Sequence, residues 1–168
     1  LKIKIENSDC PDALNFVKSK GHISEVEIDN SAYDGLDADY SELNFDKITI
    51  NNTNQECVGF KSGSYTVKFA DLRNCGDKGF SNGEISTVVI NDILIEDSKN
   101  GVISKDTSEI YIDKYDFNNI SNLCLGAYKG KKNFTGSKIK IKNMLNNCDD
   151  QFKVVQDGSY IEILNNEF

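Results

Sequence analysis

Units with an apolar third position recur along this chain every 22 residues, and no other feature restricts its fold as strongly. Asp12-Ala-Leu-Asn-Phe, Asp34-Gly-Leu-Asp-Ala, Glu56-Cys-Val-Gly-Phe, Lys78-Gly-Phe-Ser-Asn, Asn100-Gly-Val-Ile-Ser and Asn122-Leu-Cys-Leu-Gly each begin 22 residues after the one before. After an insertion of six residues, Asp150-Gln-Phe-Lys-Val continues the series. The third position is Leu14, Leu36, Val58, Phe80, Val102, Cys124 and Phe152. A unit this short cannot bury an apolar face alone, so the units must stack and share one core.

Further along each unit come two short alternating segments, such as Leu43/Phe45 then Ile48/Ile50, and Val88/Ile90 then Ile93/Ile95. Alternation with period two marks strands buried on one face, and the Gly, Asn, Asp and Ser between them turn the chain. Eighteen positions into the units stand Asn30, Asn52, Asn74, Glu96, Asn118 and, allowing for the insertion, Asn146. This column predicts a side-chain amide ladder that satisfies buried turn groups. Three strands per repeat and a single Pro predict an all-β fold: a right-handed parallel β-helix of about seven coils, on the order of 34 Å long at the usual strand spacing. A leucine-rich repeat of similar period would need a Leu-rich scaffold that is missing. Asn7 to Gly21 carries the spacing of a short helix, but the 22-residue register makes it a strand.

The runs Cys75-Gly-Asp-Lys-Gly-Phe-Ser-Asn-Gly-Glu84, Gly101-Val-Ile-Ser-Lys-Asp106 and Leu123-Cys-Leu-Gly-Ala-Tyr128-Lys-Gly-Lys-Lys resemble the C-terminal β-helix region of CotH-like bacterial surface proteins. The coil pattern is similar, more broadly, to the pectate-lyase-like superfamily. The resemblance implies a non-catalytic part of a longer protein, because kinase-type chemistry in CotH-like proteins belongs to a separate upstream domain. In the wider superfamily some members cut acidic polysaccharides, and others are adhesins or spacers, so fold alone does not assign function.

Residues 1–168 read as a single domain, with further coils or a cap expected before Leu1. Leu1-Lys-Ile-Lys-Ile5 looks like the last strand of an incomplete coil, and an open sheet edge there invites aggregation or self-stacking. A net charge of -8 with one Arg (Arg73) excludes a phosphate-backbone footprint. No apolar run is long enough to span a membrane. Five Cys at irregular spacings fit neither a disulfide framework nor a CxxC metal pair. They are expected to be buried thiols, with Cys75 and Cys148 too many coils apart to bond each other.

Outward positions of the first strand align in two columns: Asn15, Asp37, Gly59, Ser81, Ile103, Leu125, Lys153, and Val17, Asp39, Lys61, Gly83, Lys105, Ala127, Val155. Asp37 and Asp39 beside Lys61, with Lys105 on the same face, are the candidate catalytic set. A polysaccharide lyase needs a uronate carboxylate neutralised, often by Ca²⁺ on carboxylates, and a Lys of lowered pKa as base. The same residues also make an ion-paired face that keeps the rod soluble. Asp12, Asp34 and Glu56 stack as candidate Ca²⁺ ligands, or as solvated turn carboxylates. Gly59, Ser81 and Gly83 predict a shallow groove, with Ser81 as a binding candidate. Lys129, Lys132 and Phe134 in the inserted loop form the one basic and aromatic loop of an acidic chain, and are further binding candidates. His22, the only His, lies at a coil corner, and the clustered Asp, Gly-His-Gly and Arg-Ile-Lys pattern of polygalacturonases is absent. Asn51, Asn119 and Asn133 open glycosylation-type triplets of the kind an Asn-rich chain produces by chance.

Function is expected to be that of a structural or carbohydrate-binding module, extracellular or at a cell surface, with a polysaccharide as partner and no cofactor beyond Ca²⁺. The alternative is a lyase acting on acidic glycans, and a third expectation is a self-stacking assembly unit.

Overall fold

Alternating apolar residues become strands here because each strand can set every second side chain against a shared interior while its neighbours complete its backbone hydrogen bonds. Residues 1–156 and 158–164 are described in the computed structural model. In chain order the strands are β1 (Lys2–Ser8), β2 (Asp12–Val17), β3 (Lys20–Ile23), β4 (Glu25–Ser31), β5 (Asp34–Asp39), β6 (Glu42–Thr53), β7 (Val58–Lys61), β8 (Ser64–Cys75), β9 (Lys78–Gly83), β10 (Thr87–Lys105), β11 (Glu109–Tyr128), β12 (Lys138–Met144), β13 (Lys153–Val155) and β14 (Tyr160–Ile163). All their pairings are parallel, and they wind into a β-solenoid of about seven turns. The only helical piece among the described residues is the 3₁₀ turn Asp150–Phe152. Among the described residues no helix is long and apolar enough to cross a membrane.

Each turn lays one strand on each of three faces. The first face stacks β2, β5, β7, β9, the ends of β10 and β11, and β13. The second stacks β3, the starts of β6, β8, β10 and β11, then β12 and β14. The third stacks β1, β4 and the later parts of β6, β8, β10 and β11. Inward residues form continuous buried columns, as in Val26, Ile48, Ala70, Ile93 and Tyr115. Asn7 to Gly21 is extended, with β2 paired to β5 as the repeat demands.

On the first face register follows the 22-residue repeat until the corner after β10's third-face segment, while on the other two faces β8 already pairs β10 23 residues on, Ser64 with Thr87 and Arg73 with Glu96. Ser98 pairs Ile120, but Asn100 pairs Leu123, one residue late. The inward column therefore continues through Leu125 and Lys153 rather than Cys124 and Phe152, and the outward ones through Gly126 and Tyr128 rather than Leu125 and Ala127.

The Asn column has a different cause from the one its spacing suggested. Asn7, Asn30, Asn52, Asn74, Asp97 and Asn119 all have positive φ, the left-handed conformation that Asn and Asp tolerate best among residues with a side chain. The column thus passes through Asp97 and Asn119, not Glu96 and Asn118. Asn52 donates to Asn30 Oδ1 at 2.6 Å and Asn30 to Asn7 Oδ1 at 3.2 Å, but Asn74 crosses to Asn51 Oδ1 at 2.8 Å. The amides form short ladders at the rim instead of satisfying a buried turn.

A second stack, of serines, does the buried work. Ser19, Ser86 and Ser137 donate their N–H to the Oγ of Ser41, Ser108 and Ser159 on the next coil, at 2.9, 3.2 and 2.9 Å. Gly63 interrupts the series because the Ser41 carbonyl and the Tyr65 hydroxyl fill the space a Cβ there would need, the hydroxyl lying within donating distance of the carbonyls of Ala38 and Lys61.

Four of the five cysteines are not thiols. Cys57 bonds Cys75 and Cys124 bonds Cys148, with Cα atoms 5.5 and 6.2 Å apart, and Cys10 alone is free and exposed. Sequence separations of 18 and 24 residues are close to one coil. A cysteine opening the first face therefore meets one closing the third face of the same turn. Cys75 and Cys148 indeed do not bond each other.

Candidate functional site

On the first face, strands β2, β5, β7 and β9 bring the acidic candidates together, though not in the grouping expected. Carboxylate oxygens of Asp12, Asp34 and Asp37 lie within 4.8 Å of one another. Glu56 is not one of this trio: its carboxylate accepts Lys78 Nζ at 2.7 Å and Ser81 Oγ at 2.5 Å, and its backbone N–H donates to Asp34 Oδ1 at 2.8 Å. Burial pushes the Asp34 carboxyl up, against the Glu56 N–H and with the charges of Glu56 and Asp12. Three such oxygens would supply part of the six to eight that Ca²⁺ takes.

Asp37 is only 6% exposed and accepts Lys61 Nζ at 2.9 Å. Desolvation outweighs that bond and raises its carboxyl to about 6. For Lys61, burial pulls the ammonium down, but the hydrogen bond and charge of Asp37, with Asp39 and Glu56, push it up to about 12. The lowered pKa that a proton-abstracting lysine requires is absent, and Lys61 is a fixed cation at neutral pH. Lys78, buried between Asp77 and Glu56, is likewise held above the usual lysine range once those hydrogen bonds overcome its desolvation.

The groove expected over Gly59, Ser81 and Gly83 is filled by neighbouring side chains. Asp37 Oδ1 takes the space a Cβ at Gly59 would occupy, and the Lys105 stem lies over Gly83. Ser81 is buried under Glu56, and Ile103 is buried as its Cδ1 packs over Gly126. Leu125, expected beside Ile103 on the outside, faces the core.

In the inserted loop, Lys131 pairs with Glu84 at 2.5 Å. The backbone N–H groups of Gly130 and Lys131 both donate to buried Asp106 at 2.7 Å. Lys129 and Lys132 line an open depression with Val155 and Gln156, while Phe134 is half-buried. His22 is exposed and bonds Asp46 at 2.7 Å, a carboxylate also paired with Lys68. That arrangement is a surface hydrogen bond beside a Lys68–Asp46 ion pair.

The Asp37 environment carries a pH signature. A folded-state pKa near 6 against an ordinary 3.9 means that the native chain binds this proton more tightly than the unfolded one. From this group, stability rises as pH falls from about 6 to 4. Asp37→Asn, which keeps an acceptor for Lys61, is expected to melt higher than wild type at pH 7.5, by the order of 2–3 kcal/mol, with the gap closing by pH 4. A variant no more stable than wild type at pH 7.5 contradicts this reading.

Fold and site together define a parallel β-solenoid whose first face is an ion-paired, side-chain-filled surface. No protein-family model matches the chain, and neither a curated protein nor a solved structure is significantly similar to it.

Proposed function

We propose that the chain is a non-catalytic, carbohydrate-binding or structural module of a secreted or cell-surface protein. The observation that carries this reading is the Lys61–Asp37 pair, which leaves Lys61, the candidate base beside the acidic cluster, protonated. The two disulfides support an oxidising compartment. The CotH-like runs fit a β-helix segment of a longer surface protein, a kinship that no family match supports.

One observation favours the second reading, a lyase on acidic glycans: the convergence of Asp12, Asp34 and Asp37, a set that could hold Ca²⁺ against a uronate. Incubation with acidic and neutral polysaccharides, with and without Ca²⁺, separates the two. The expected result is slowed migration in gels cast with at least one polysaccharide, and no new oligosaccharides by mass spectrometry. Unsaturated products that disappear in Lys61→Ala would replace the module by the enzyme.

A further inference from the structure

The corner between the third and first faces is irregular at one place only among the described pairings of β10 and β11. An extra residue between Ile120 and Leu123 bulges the sixth turn, and in the next turn the 3₁₀ segment Asp150–Phe152 replaces the regular corner. These two corners do not stack flush. Between them lies a cavity of about 340 Å³, at the small end of ligand pockets.

Its walls divide by chemistry. Phe117, Ile120, Phe152 and the Cys124–Cys148 disulfide form the apolar part. The rest is the Asp149 carboxylate and a ring of asparagine amides, three of which have an N–H committed elsewhere. Asn119 Nδ2 donates to Asp97 at 3.0 Å, Asn146 Nδ2 to Asp116 at 2.8 Å, and Asn147 Nδ2 to Asp149 at 2.7 Å. Asn119 and Asn147 each still offer the amide oxygen and one N–H, Asn146, whose second N–H goes to the Phe117 carbonyl, offers its oxygen, and exposed Asn118 adds an amide with no side-chain bond among the described residues. Hydroxyl groups donate to such oxygens, and an apolar wall matches the C–H face of a sugar ring. Among the described residues the cavity is lined by Asp149 and by no Lys or Arg, so an anion would meet a like charge and no counter-charge.

We propose that this corner pocket binds one neutral sugar unit, with the Asn118, Asn119, Asn146 and Asn147 amides taking its hydroxyls and Phe152 packing against its ring. This deepens the carbohydrate-binding reading above and rests on it. The volume suits a single ring rather than a chain lying along the rod, so the pocket recognises a terminal or branching sugar.

The test is a titration of ¹⁵N-labelled protein with the methyl β-glycosides of glucose, galactose, mannose and N-acetylglucosamine. For at least one of them, the side-chain amide signals of Asn118 and Asn146 shift, with a Kd on the order of 1 mM. Asn118→Ala, at an exposed position without a partner, and Phe152→Ala each weaken binding about tenfold or more, with melting temperature unchanged. The proposal is overturned if none of the four glycosides moves these signals, or if both variants bind as wild type does. Retention of wild type and both variants alike on a polysaccharide gel would remove the pocket while leaving the module reading in place. Retention of none of them would remove the pocket and the carbohydrate-binding reading together, leaving a structural module.

Discussion

Phe60→Ala lowers the unfolding free energy by about 3–5 kcal/mol, the usual cost of emptying a fully buried aromatic site. Phe60 has no exposed surface. Its ring stands 4.3 Å from Tyr65, 5.4 Å from Phe80 and 5.6 Å from Phe45, centroid to centroid. Three successive coils therefore lose a common neighbour at once, and neither rigid strands nor stacked rings can collapse into the gap. Against a total of about 5–15 kcal/mol for a domain of this kind, that loss moves the urea midpoint far. Phe69→Ala, on the outside of the third face and 38% exposed, is the control and stays within about 0.5 kcal/mol. A Phe60→Ala loss no larger than that of Phe69→Ala would mean that the aromatic column does not hold the coils together.

Removing the staple at Cys57 and Cys75 by a double change to Ala costs about 3 kcal/mol, the chain-entropy value for a loop near this size. The loop closed by Cys124 and Cys148 is slightly longer and has a similar effect. Alkylation under denaturing, non-reducing conditions is expected to label one thiol, Cys10, and after reduction all five. Five labelled thiols before reduction would sink the disulfide assignment and with it the support for an oxidising compartment.

The architecture was legible because a 22-residue period and period-two alternation point to the same object, and their agreement leaves one architecture. What escaped has specific causes. A one-residue slip near Asn122 is invisible in the pattern, since Cys124 and Leu125 are both apolar and either can serve as the column's next member. The disulfides were hidden by the odd count: Cys10 makes five, and only comparison of the Cys57–Cys75 and Cys124–Cys148 separations with the coil length exposes the pairs. Ser19, Ser41, Ser86 and Ser108 stand at readable spacing, but serine in a turn draws no notice until its Oγ is seen accepting from the neighbouring coil.

On the first face, the strand pleat foretold that Asp37 would meet Lys61. It did not foretell that glycines chosen by spacing as a groove floor would be covered by the side chains they make room for, which depends on how Asp37 and Lys105 fold down. Glu56 likewise shares a column with Asp12 and Asp34 but is drawn off by Lys78, so Asp37 from the adjacent column completes the trio.

Each disulfide closes a single turn of the chain upon itself instead of tying one turn to the next, and this determines how the rod behaves under tension. When its two ends are pulled apart, strands peel from the ends coil by coil, but the backbone between paired cysteines is bypassed by the sulfur link. The bypassed stretches span 18 and 24 residues, so about 140 Å of contour, at roughly 3.4 Å per residue, is never paid out. Between peeling coils and a taut covalent tether, the oxidised protein is a shorter and stiffer leash than its 168 residues suggest.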